Sequence, residues 1–269
     1  MPLDRKFIHL KEILAAMDSA VVAFSGGVDS TFLLRVARDV LGRDKLLALT
    51  ATSPTYPQTE LEESRALAVS LGVRQLLVES NELEIPGFAE NDRQRCYYCK
   101  RELFGVCRSK AAELGYQEIL DGSNVDDLHD FRPGRRAVEE LKVRSPLLEA
   151  GLGKNEIRQL SRELGLTTWH KQPFACLSSR FPYGTAITSE RLAQVDRCET
   201  FLRHHQFRNY RVRYHGETAR IEVAVEEIPR LLESRLREEL VEAFKAAGFT
   251  YVALDLEGYR TGSMNEVAP

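Results

Sequence analysis

The sequence predicts an α/β fold, in which a mostly parallel sheet carries helices on both faces and is followed by a smaller α+β domain. Two observations support this prediction. In the first part of the chain, short apolar runs alternate with segments whose apolar residues recur at helical spacing. Near residue 180 this alternation gives way to the order helix, strand, strand, helix, strand. We therefore expect two domains, 1–180 and 181–269.

The elements of the first domain are predicted from these patterns and from the glycines that end helices. The predicted strands are 21–24, 46–51, 74–78 and 118–121. The predicted helices are 31–40, 61–71, 100–114 and 154–164. Two stretches lack either pattern: the charged segment 126–144 is predicted to be an irregular surface excursion, and 169–184 a long polar and aromatic loop.

The second domain is predicted to contain two helices and three strands. The strands 210–214 and 220–225 flank a turn, and a further strand covers 251–256. The helices cover 189–205 and 228–247, and the latter is long and amphipathic.

The composition predicts a cytoplasmic protein without a membrane span. Charged residues make up 29% of the 269 residues and hydrophobic residues 43%, which is ordinary for a globular protein. No apolar run approaches the roughly 18 residues that a spanning helix needs, and the first twenty residues lack the apolar core of a signal peptide. The formal net charge of -3 gives no general electrostatic reason to bind nucleic acid.

Residues 25–30, with the sequence Ser-Gly-Gly-Val-Asp-Ser, lie between a predicted strand and a predicted helix. Adjacent glycines let the backbone approach an anion closely, and successive N–H groups at a helix N-terminus form a nest for phosphate. Ser25 and Ser30 can add hydroxyl donors, and Asp29 can help to hold Mg²⁺, which prefers oxygen ligands. The segment therefore predicts a phosphate-binding loop.

This segment resembles the signature of the PP-loop ATP pyrophosphatases, whose parallel sheet is of the adenine nucleotide α-hydrolase type. Such enzymes cleave ATP between its α and β phosphates and adenylylate a carbonyl or carboxylate oxygen. The resemblance implies that the loop binds the pyrophosphate end of ATP and that the second and fourth strands end at the same cleft. Asp127 has two interpretations, a ligand of the metal or ribose, or an acid at a helix N-terminus. The implied ATP-binding residues are Phe24, Ser25, Gly26, Gly27, Asp29, Ser30, Thr50, Thr52, Ser53, Gly122, Ser123, Asn124 and Asp127.

The five cysteines are too few for a disulfide scaffold, so closely spaced ones are expected to bind metal or take part in catalysis. Cys96 and Cys99 form a C-x-x-C, which also fits a redox pair or simple packing. Cys176 lies in a loop rich in serine and arginine, where Arg180 can favour its thiolate. A third ligand from Cys176 would leave one position open on zinc or on a cubane cluster. The remaining two, in helix-like segments, are expected to be structural.

Longer blocks extend the resemblance to PP-loop sulfurtransferases and, more specifically, to the LarE family of nickel-pincer nucleotide cofactor synthesis. They are Ser-Pro-Leu-Leu-Glu-Ala-Gly-Leu at 145–152, 154–158, Ala-Cys-Leu-Ser-Ser-Arg-Phe-Pro-Tyr-Gly at 175–184, and 254–265. The resemblance implies that ATP adenylylates a carboxylate of pyridinium-3,5-biscarboxylic acid mononucleotide. Sulfur then replaces AMP to give a thiocarboxylate, and the reaction repeats on the second carboxylate.

The resemblance also implies the source of the sulfur and the catalytic residues, Cys176, Asp29 and Arg180. Some members of the family sacrifice the sulfur of the cysteine that matches Cys176, whereas others hold a three-cysteine [4Fe–4S] cluster. The C-x-x-C places this chain with the second kind, with Cys96, Cys99 and Cys176 as ligands. A homo-oligomer such as a hexamer is implied as well, but the sequence does not indicate the sulfide source.

Arg211 and Arg213 alternate on a predicted strand, so they point to one face, where they can clamp the substrate phosphate. The alternative is a solvated strand face balanced by Glu217 and Glu222. The positive pyridinium ring favours aromatic faces. The candidates for stacking on it, or for packing against the core, are Tyr97, Tyr98 and Trp169.

Three competing functions remain open. A tRNA thiolase of the same superfamily would need a basic RNA-binding face and often carries further C-x-x-C pairs, neither of which the sequence contains. An ammonia-using ligase of the NAD-synthetase kind would not depend on Cys176. A nucleotide-binding module without catalysis would release no pyrophosphate from ATP.

Overall fold

The computed structural model describes residues 1–128, 133–172 and 175–260. They fall into two compact units, one within Met1–Ile85 and Arg93–Phe174 and the other within Pro86–Asp92 and Ala175–Pro269. The change of unit after Phe174 lies close to the boundary that the sequence predicts after residue 180. Of the family-like block 254–265, residues 261–265 lie outside the described part of the chain.

The short segment Pro86–Asp92 belongs to the second unit, although its neighbours in sequence belong to the first. Its backbone pairs with residues much later in the chain. The N–H of Ile187 donates to the carbonyl of Ala89 at 2.8 Å, and the N–H of Gly184 donates to the carbonyl of Asn91 at 3.0 Å. This long-range pairing has no signature in the local sequence.

The first unit alternates strands and helices, as predicted. Its strands are β1 (Ala20–Ala23), β2 (Leu46–Thr52), β3 (Arg74–Glu79) and β4 (Glu118–Leu120). Its helices are α1 (Leu3–Ala15), α2 (Val28–Leu41), α3 (Gln58–Leu71), α4 (Arg95–Leu114), α5 (Gly134–Glu140), α6 (Pro146–Glu149) and α7 (Lys154–Glu163). Short 3-10 helices cover Glu82–Glu84, Val125–Leu128 and Thr167–His170.

Within the described residues of this unit, the strands form one sheet in the order β3-β2-β1-β4, and every pairing is parallel. Apolar side chains cover both of its faces. On one face, Val22 lies in a buried cluster with Phe32 of α2. On the other face, Val21 and Leu47 lie in a cluster with Phe104 of α4. The predicted α/β class is therefore confirmed, and the carboxyl ends of the strands meet at one edge of the sheet.

Two predictions for the first unit are wrong in detail. The helix predicted from residue 100 begins at Arg95, so Cys96 and Cys99 lie in its first turn. The segment 126–144 is not wholly irregular, because α5 lies within it and buries Ala137 completely. A Cβ on Gly134 would lie 2.7 Å from Cδ of Lys100, so the glycine allows α5 to approach the start of α4. Charged residues surround Ala137, so the spacing of apolar residues did not indicate this short helix.

The second unit contains α8 (Ser189–His204), β5 (Tyr210–His215), β6 (Thr218–Val223), α9 (Ile228–Leu231), α10 (Ser234–Ala246) and β7 (Tyr251–Leu254). In its described part, the strands form a mixed sheet in the order β5-β6-β7, antiparallel between β5 and β6 and parallel between β6 and β7. A small α+β architecture therefore follows the parallel sheet, as the sequence predicts.

Two predictions for the second part of the chain are also corrected. The single helix predicted over 228–247 is divided into α9 and α10, because Glu233 has an extended backbone with ψ of 129°. The stretch 169–184 is more ordered than a loop, since Leu177–Arg180 forms a 3-10 helix and buries Leu177 and Arg180. Residues 173 and 174 of that stretch lie outside the described part. None of the described helices is both long and apolar enough to span a bilayer.

Candidate active site

The phosphate loop connects the end of β1 to the start of α2. Gly26 has a φ of 68°, in the left-handed region that favours glycine, and a Cβ there would lie 3.0 Å from Cβ of Ser64. The Ser25 and Ser30 hydroxyls are 3.2 Å apart, and Ser25 Oγ accepts the N–H of Gly27 at 3.4 Å. The loop is therefore held by its own side chains and by a close approach that only glycine permits.

Two side chains that the sequence analysis missed bind the outer side of this loop. The hydroxyl of Tyr56 donates to the carbonyl of Ser25 at 2.7 Å, and Lys171 Nζ donates to the carbonyl of Gly26 at 3.4 Å. In a trans peptide the carbonyl and the next N–H point in opposite directions. The N–H groups of Gly26 and Gly27 therefore point away from Tyr56 and Lys171, as a nest for an anion requires. Isolated lysines and tyrosines far from the motif carry no sequence signal for this role.

Asp29, in the first turn of α2, has two oxygens in different environments. One oxygen, Oδ2, contacts the ammonium of Lys154 from the first turn of α7. The other, Oδ1, is buried and has no hydrogen-bond partner among the described residues. Burial raises the pKa of the Asp29 carboxyl, and the charge of Lys154 opposes this rise. A buried carboxylate oxygen without a donor suits a hard cation such as Mg²⁺.

The turn after β4 also lies next to the start of α2, which carries Asp29 and Ser30. A Cβ on Gly122 would lie 3.1 Å from the backbone nitrogen of Ser30, so the turn packs against the start of α2. Asp121, which sequence reasoning passed over, organises this turn by accepting the hydroxyls of Ser123 and Ser145, each at 2.6 Å. The structure therefore brings the predicted residues 122–124 next to the phosphate loop.

Asp127 lies in the first turn of the short 3-10 helix Val125–Leu128, and its two interpretations stay predictions. Its Oδ2 accepts the N–H of Asn124 at 3.0 Å, which stabilises the turn before the 3-10 helix Val125–Leu128. Its charge also contributes to raising the pKa of Asp29, so the two carboxylates face the same region. Asp127 thus shapes the turn and adds negative charge near the loop.

The residues predicted near adenosine divide into two groups. Thr50 is buried and donates to the carbonyl of Phe24 at 2.6 Å, so these two residues connect β2 to β1. Thr52 and Ser53 instead line an open cleft of about 570 Å³ at the ends of β2 and β3. The other residues that line it are Pro54, Glu79, Ser80 and Asn81. The cleft therefore lies outside the carboxyl ends of two parallel strands, where ligands bind in such sheets.

The C-x-x-C lies in the first turn of α4, with Cys96 exposed and Cys99 half-buried. Cys99 Sγ donates to Oε1 of Glu82 at 3.1 Å. Between the cysteines, Tyr97 is only 6% exposed, its hydroxyl donates to Glu140 at 2.7 Å, and Arg136 lies over its ring. Tyr97 therefore packs against α5 and does not offer a free ring face. Trp169 is more exposed, at 38%, but Arg162 lies over its ring.

Cys176, in the second unit, precedes the 3-10 helix Leu177–Arg180 and is held through Arg180. Arg180 is 1% exposed and binds Glu199 with two hydrogen bonds of 2.9 and 2.8 Å. Its remaining nitrogen donates to the carbonyls of Ala175 and Cys176 at 2.6 and 3.1 Å. Arg180 thus fixes the backbone at Cys176. Burial opposes a rise in the pKa of Arg180, but the charges of Glu199 and Cys176 both contribute to raising it, and the catalytic role of Arg180 stays a prediction.

Arg211 and Arg213 differ in their surroundings. Arg213 is buried, pairs with the fully buried Glu222 at 2.7 Å and donates to the carbonyl of Ser179 at 3.0 Å. The alternative interpretation named the right partner in Glu222, but the pair is not solvated. Arg211 is half-buried and lies over the ring of Tyr259.

The pKa of Arg211 is lowered by burial first and then by the positive charge of Arg180. The negative charge of Glu199 opposes this lowering, so Arg211 already interacts with an acidic group.

The two buried cysteines differ from the three candidate ligands. Burial raises the pKa of Cys107 and of Cys198 to about 12, so both stay protonated and act as packing residues. The C-x-x-C belongs to the first unit and Cys176 to the second. Within the described residues of each unit, no group of three or more His, Cys, Asp or Glu side chains is arranged to hold a metal ion.

The chain is similar in sequence to known proteins, over part of its length or over nearly all of it. A family model described as NAD synthase matches residues 5–92, which include the phosphate loop. The pyridinium-3,5-bisthiocarboxylic acid mononucleotide synthase of Lactiplantibacillus plantarum is 39% identical over 266 residues, covering 98% of this chain and 95% of the synthase. An uncharacterized protein of Synechocystis sp. is 44% identical over 98% of both chains. Another, of Methanocaldococcus jannaschii, is 28% identical over 96% of this chain and 98% of its own.

Proposed function

The chain belongs to the family of the pyridinium-3,5-bisthiocarboxylic acid mononucleotide synthase, and on that premise we propose that it is an ATP-dependent sulfurtransferase of the PP-loop class. Its substrate would be pyridinium-3,5-biscarboxylic acid mononucleotide, whose carboxylates become thiocarboxylates. The observation that carries the proposal is the likeness to that synthase along both units of the chain. The two units supply different parts of the proposed reaction.

The first unit would activate the carboxylate. An oxygen of the substrate carboxylate attacks the α-phosphorus of ATP, and pyrophosphate leaves as the acyl adenylate forms. The N–H groups of the loop, directed inward by Tyr56 and Lys171, would bind the departing pyrophosphate. Asp29 would hold Mg²⁺ through its buried Oδ1, and the ion would supply charge stabilisation for the phosphates.

The second unit would supply sulfur and bind the substrate. A sulfur nucleophile attacks the carbonyl carbon of the acyl adenylate and AMP leaves, which gives the thiocarboxylate. Cys176, with its backbone fixed by Arg180, is the proposed position from which sulfur is delivered. Arg211 is the stronger candidate for the substrate phosphate, because Arg213 already pairs with the buried Glu222. The substitution of sulfur for oxygen would then repeat on the second carboxylate.

We propose that Cys96, Cys99 and Cys176 hold a [4Fe–4S] cluster, which would supply an exchangeable sulfide. The chemistry of the donors fits, because these three cysteines are at least partly accessible, whereas Cys107 and Cys198 are buried. The alternative is sacrificial donation, in which the Cβ–S bond of Cys176 breaks and dehydroalanine remains. We further propose that the enzyme works in the cytoplasm as a homo-oligomer such as a hexamer. Its product would serve nickel-pincer nucleotide synthesis and lactate racemase maturation.

The experiment that tests the function is pyrophosphate release from MgATP by the full chain. Release is expected with pyridinium-3,5-biscarboxylic acid mononucleotide, together with a mass gain of about 16 Da per oxygen replaced by sulfur. Deamido-NAD⁺ with ammonia should give neither signal. Pyrophosphate release with deamido-NAD⁺ and ammonia, but not with pyridinium-3,5-biscarboxylic acid mononucleotide, would overturn the sulfurtransferase assignment in favour of an NAD-synthetase-like ligase.

Iron and acid-labile sulfide assays on protein purified without oxygen separate the two sulfur sources. About four irons and four sulfides per chain would support the cluster. A chain that stays metal-free after reconstitution, and loses about one sulfur from Cys176 during turnover, would support sacrificial donation.

A further inference from the structure

Three polar side chains next to the phosphate loop form a hydrogen-bond network within the first unit. Gln75 of β3 donates from Nε2 to the hydroxyl of Thr50 on β2 at 2.9 Å and to the hydroxyl of Ser64 on α3 at 3.1 Å. Thr50 is only 2% exposed, and Ser64 is fully buried. Because a buried polar group is costly unless it is hydrogen-bonded, the two hydroxyls depend on such partners.

The direction of each hydrogen bond in the network is set by the groups that it joins. The Thr50 hydroxyl donates to the carbonyl of Phe24 at 2.6 Å, and the Ser64 hydroxyl donates to the carbonyl of Leu61 at 2.8 Å. Since a hydroxyl has a single hydrogen, both hydroxyls must accept from Gln75. An amide nitrogen carries two N–H groups, so one atom of Gln75 serves both. A carboxylate at this position could donate to neither.

Both hydroxyl-bearing residues contact the start of the phosphate loop. Phe24, whose carbonyl accepts from Thr50, is the residue directly before the loop. A Cβ on Gly26 would lie 3.0 Å from Cβ and 3.2 Å from Cα of Ser64, so the loop backbone packs closely on α3. Gln75 therefore joins the strand and the helix that the first half of the loop contacts, although the sequence analysis assigned it no role.

We propose that Gln75 is a positioning residue, which keeps the phosphate loop in its anion-binding conformation through Thr50 and Ser64. The inference rests on the proposed function only in requiring that the loop binds the pyrophosphate end of ATP. Without the N–H groups of Gln75, each hydroxyl loses a donor and can turn away from the carbonyl that it now serves. The backbone at Phe24 and Gly26 is then held less firmly, and so are the N–H groups of the loop.

The test is the binding of inorganic pyrophosphate with Mg²⁺ to the full chain, measured by calorimetry. Gln75→Met removes both N–H groups with little change in volume. We expect it to weaken pyrophosphate binding about fivefold, the effect of one typical hydrogen bond. A role limited to stability would lower the urea midpoint and leave the affinity of the folded chain unchanged.

Gln159→Met is the matched control. Gln159 is exposed on α7, and its amide donates to Glu163 of the same helix at 3.0 Å. This variant should bind pyrophosphate as tightly as the unmodified chain does. An equal loss of affinity in the two variants would mean that the network around Gln75 has no special role, which overturns the inference.

A double-mutant cycle tests whether Gln75 acts through Thr50. Thr50→Val removes the hydroxyl, keeps the shape of the side chain, and should by itself weaken pyrophosphate binding about fivefold. Because the two residues belong to one network, the double variant should lose much less than about 25-fold, the product of the two single effects. The full product would mean that the residues act independently, which overturns the coupling.

Gln75→Glu serves if Gln75→Met fails to fold. It keeps the volume, but its carboxylate donates to neither hydroxyl, so the loss of affinity should be at least as large. Unchanged pyrophosphate affinity in the variant that folds overturns the inference alone. Absence of pyrophosphate binding by the unmodified chain would overturn it together with the proposed ATP site, so the two failures are distinguishable.

Discussion

The phosphate loop of the first unit and the Cys176 loop of the second present reactive groups by different physical means. The phosphate loop depends on backbone conformation, with Gly26 in the left-handed region and the two serines bonded to one another. The Cys176 loop depends on a buried ion pair, in which Arg180 is fixed by Glu199 and in turn fixes two carbonyls. A contiguous motif encodes the first arrangement. The second needs Glu199, which lies 19 positions after Arg180 in the chain.

The difference indicates how each loop should fail. A change in the phosphate loop should impair nucleotide chemistry and leave the fold of its unit intact, because the loop lies at the edge of the sheet. A change in the ion pair of the Cys176 loop should first reduce stability, because it leaves a charge buried without a partner.

The largest effect is expected from breaking that ion pair. Glu199→Gln should lower the free energy of unfolding by about 3–5 kcal/mol, since Arg180 would remain charged inside the second unit. Urea denaturation followed by circular dichroism measures the change. The double variant Arg180→Met with Glu199→Leu should recover much of the loss, because it removes both charges.

A matched control is the exposed pair of Arg235 and Glu239 on α10, with an N–O distance of 2.9 Å. Arg235→Ala should leave the urea midpoint unchanged, since an exposed ion pair contributes little. Equal losses in the two single variants would contradict the claim that burial sets the importance of the Arg180 pair.

A smaller effect, on activity rather than stability, is expected for Gly26→Ala. The left-handed φ and the 3.0 Å approach to Ser64 should together cost about 1–3 kcal/mol, which corresponds to roughly fivefold to 150-fold slower pyrophosphate release. Gly42→Ala is the control, because Gly42 also has a positive φ, of 84°, but a Cβ there would meet nothing within 4 Å. Equal losses of activity would mean that general backbone strain, rather than the loop, is responsible.

The same contrast explains what could be predicted from sequence. The parallel sheet and the phosphate loop were readable because apolar periodicity and a six-residue motif are local signals. The contacts of Tyr56 and Lys171 with the loop were not, since both are made across the fold. The sequence indicated Arg180 as a neighbour of Cys176 because the two are close in the chain, but no local signal indicated its partner on α8, Glu199.

The ion pair should also make stability depend on pH. Burial by itself raises the pKa of Glu199, but the charge and hydrogen bonds of Arg180, together with the charge of Arg211 and the N–H of Val212, outweigh it, so the folded pKa lies below the ordinary value of 4.5. The contribution of Glu199 is therefore complete above the unfolded pKa and is lost as the pH falls through the lower, folded value. Stability should decline there by at most about 1.4 kcal/mol per pH unit for this one group. Urea midpoints measured below pH 4.5 should show a flatter pH dependence in Glu199→Gln, and an unchanged slope would assign the acid sensitivity to other carboxylates.

The smallest effect is expected for Tyr56→Phe, which tests whether the phosphate loop is also supported from outside its motif. The change removes the hydroxyl that donates to the carbonyl of Ser25 at 2.7 Å and leaves the ring in place. Loss of one hydrogen bond of about 1 kcal/mol should slow pyrophosphate release about fivefold. Tyr251→Phe, at an exposed tyrosine of the second unit, should leave the rate unchanged. If Tyr56→Phe is equally silent, the Tyr56 hydroxyl does not help to set the conformation of the loop, and Lys171 is the remaining hydrogen-bond donor to its outer side. The contrast with the Cys176 loop would then be sharper, because the phosphate loop would depend less on residues outside its motif.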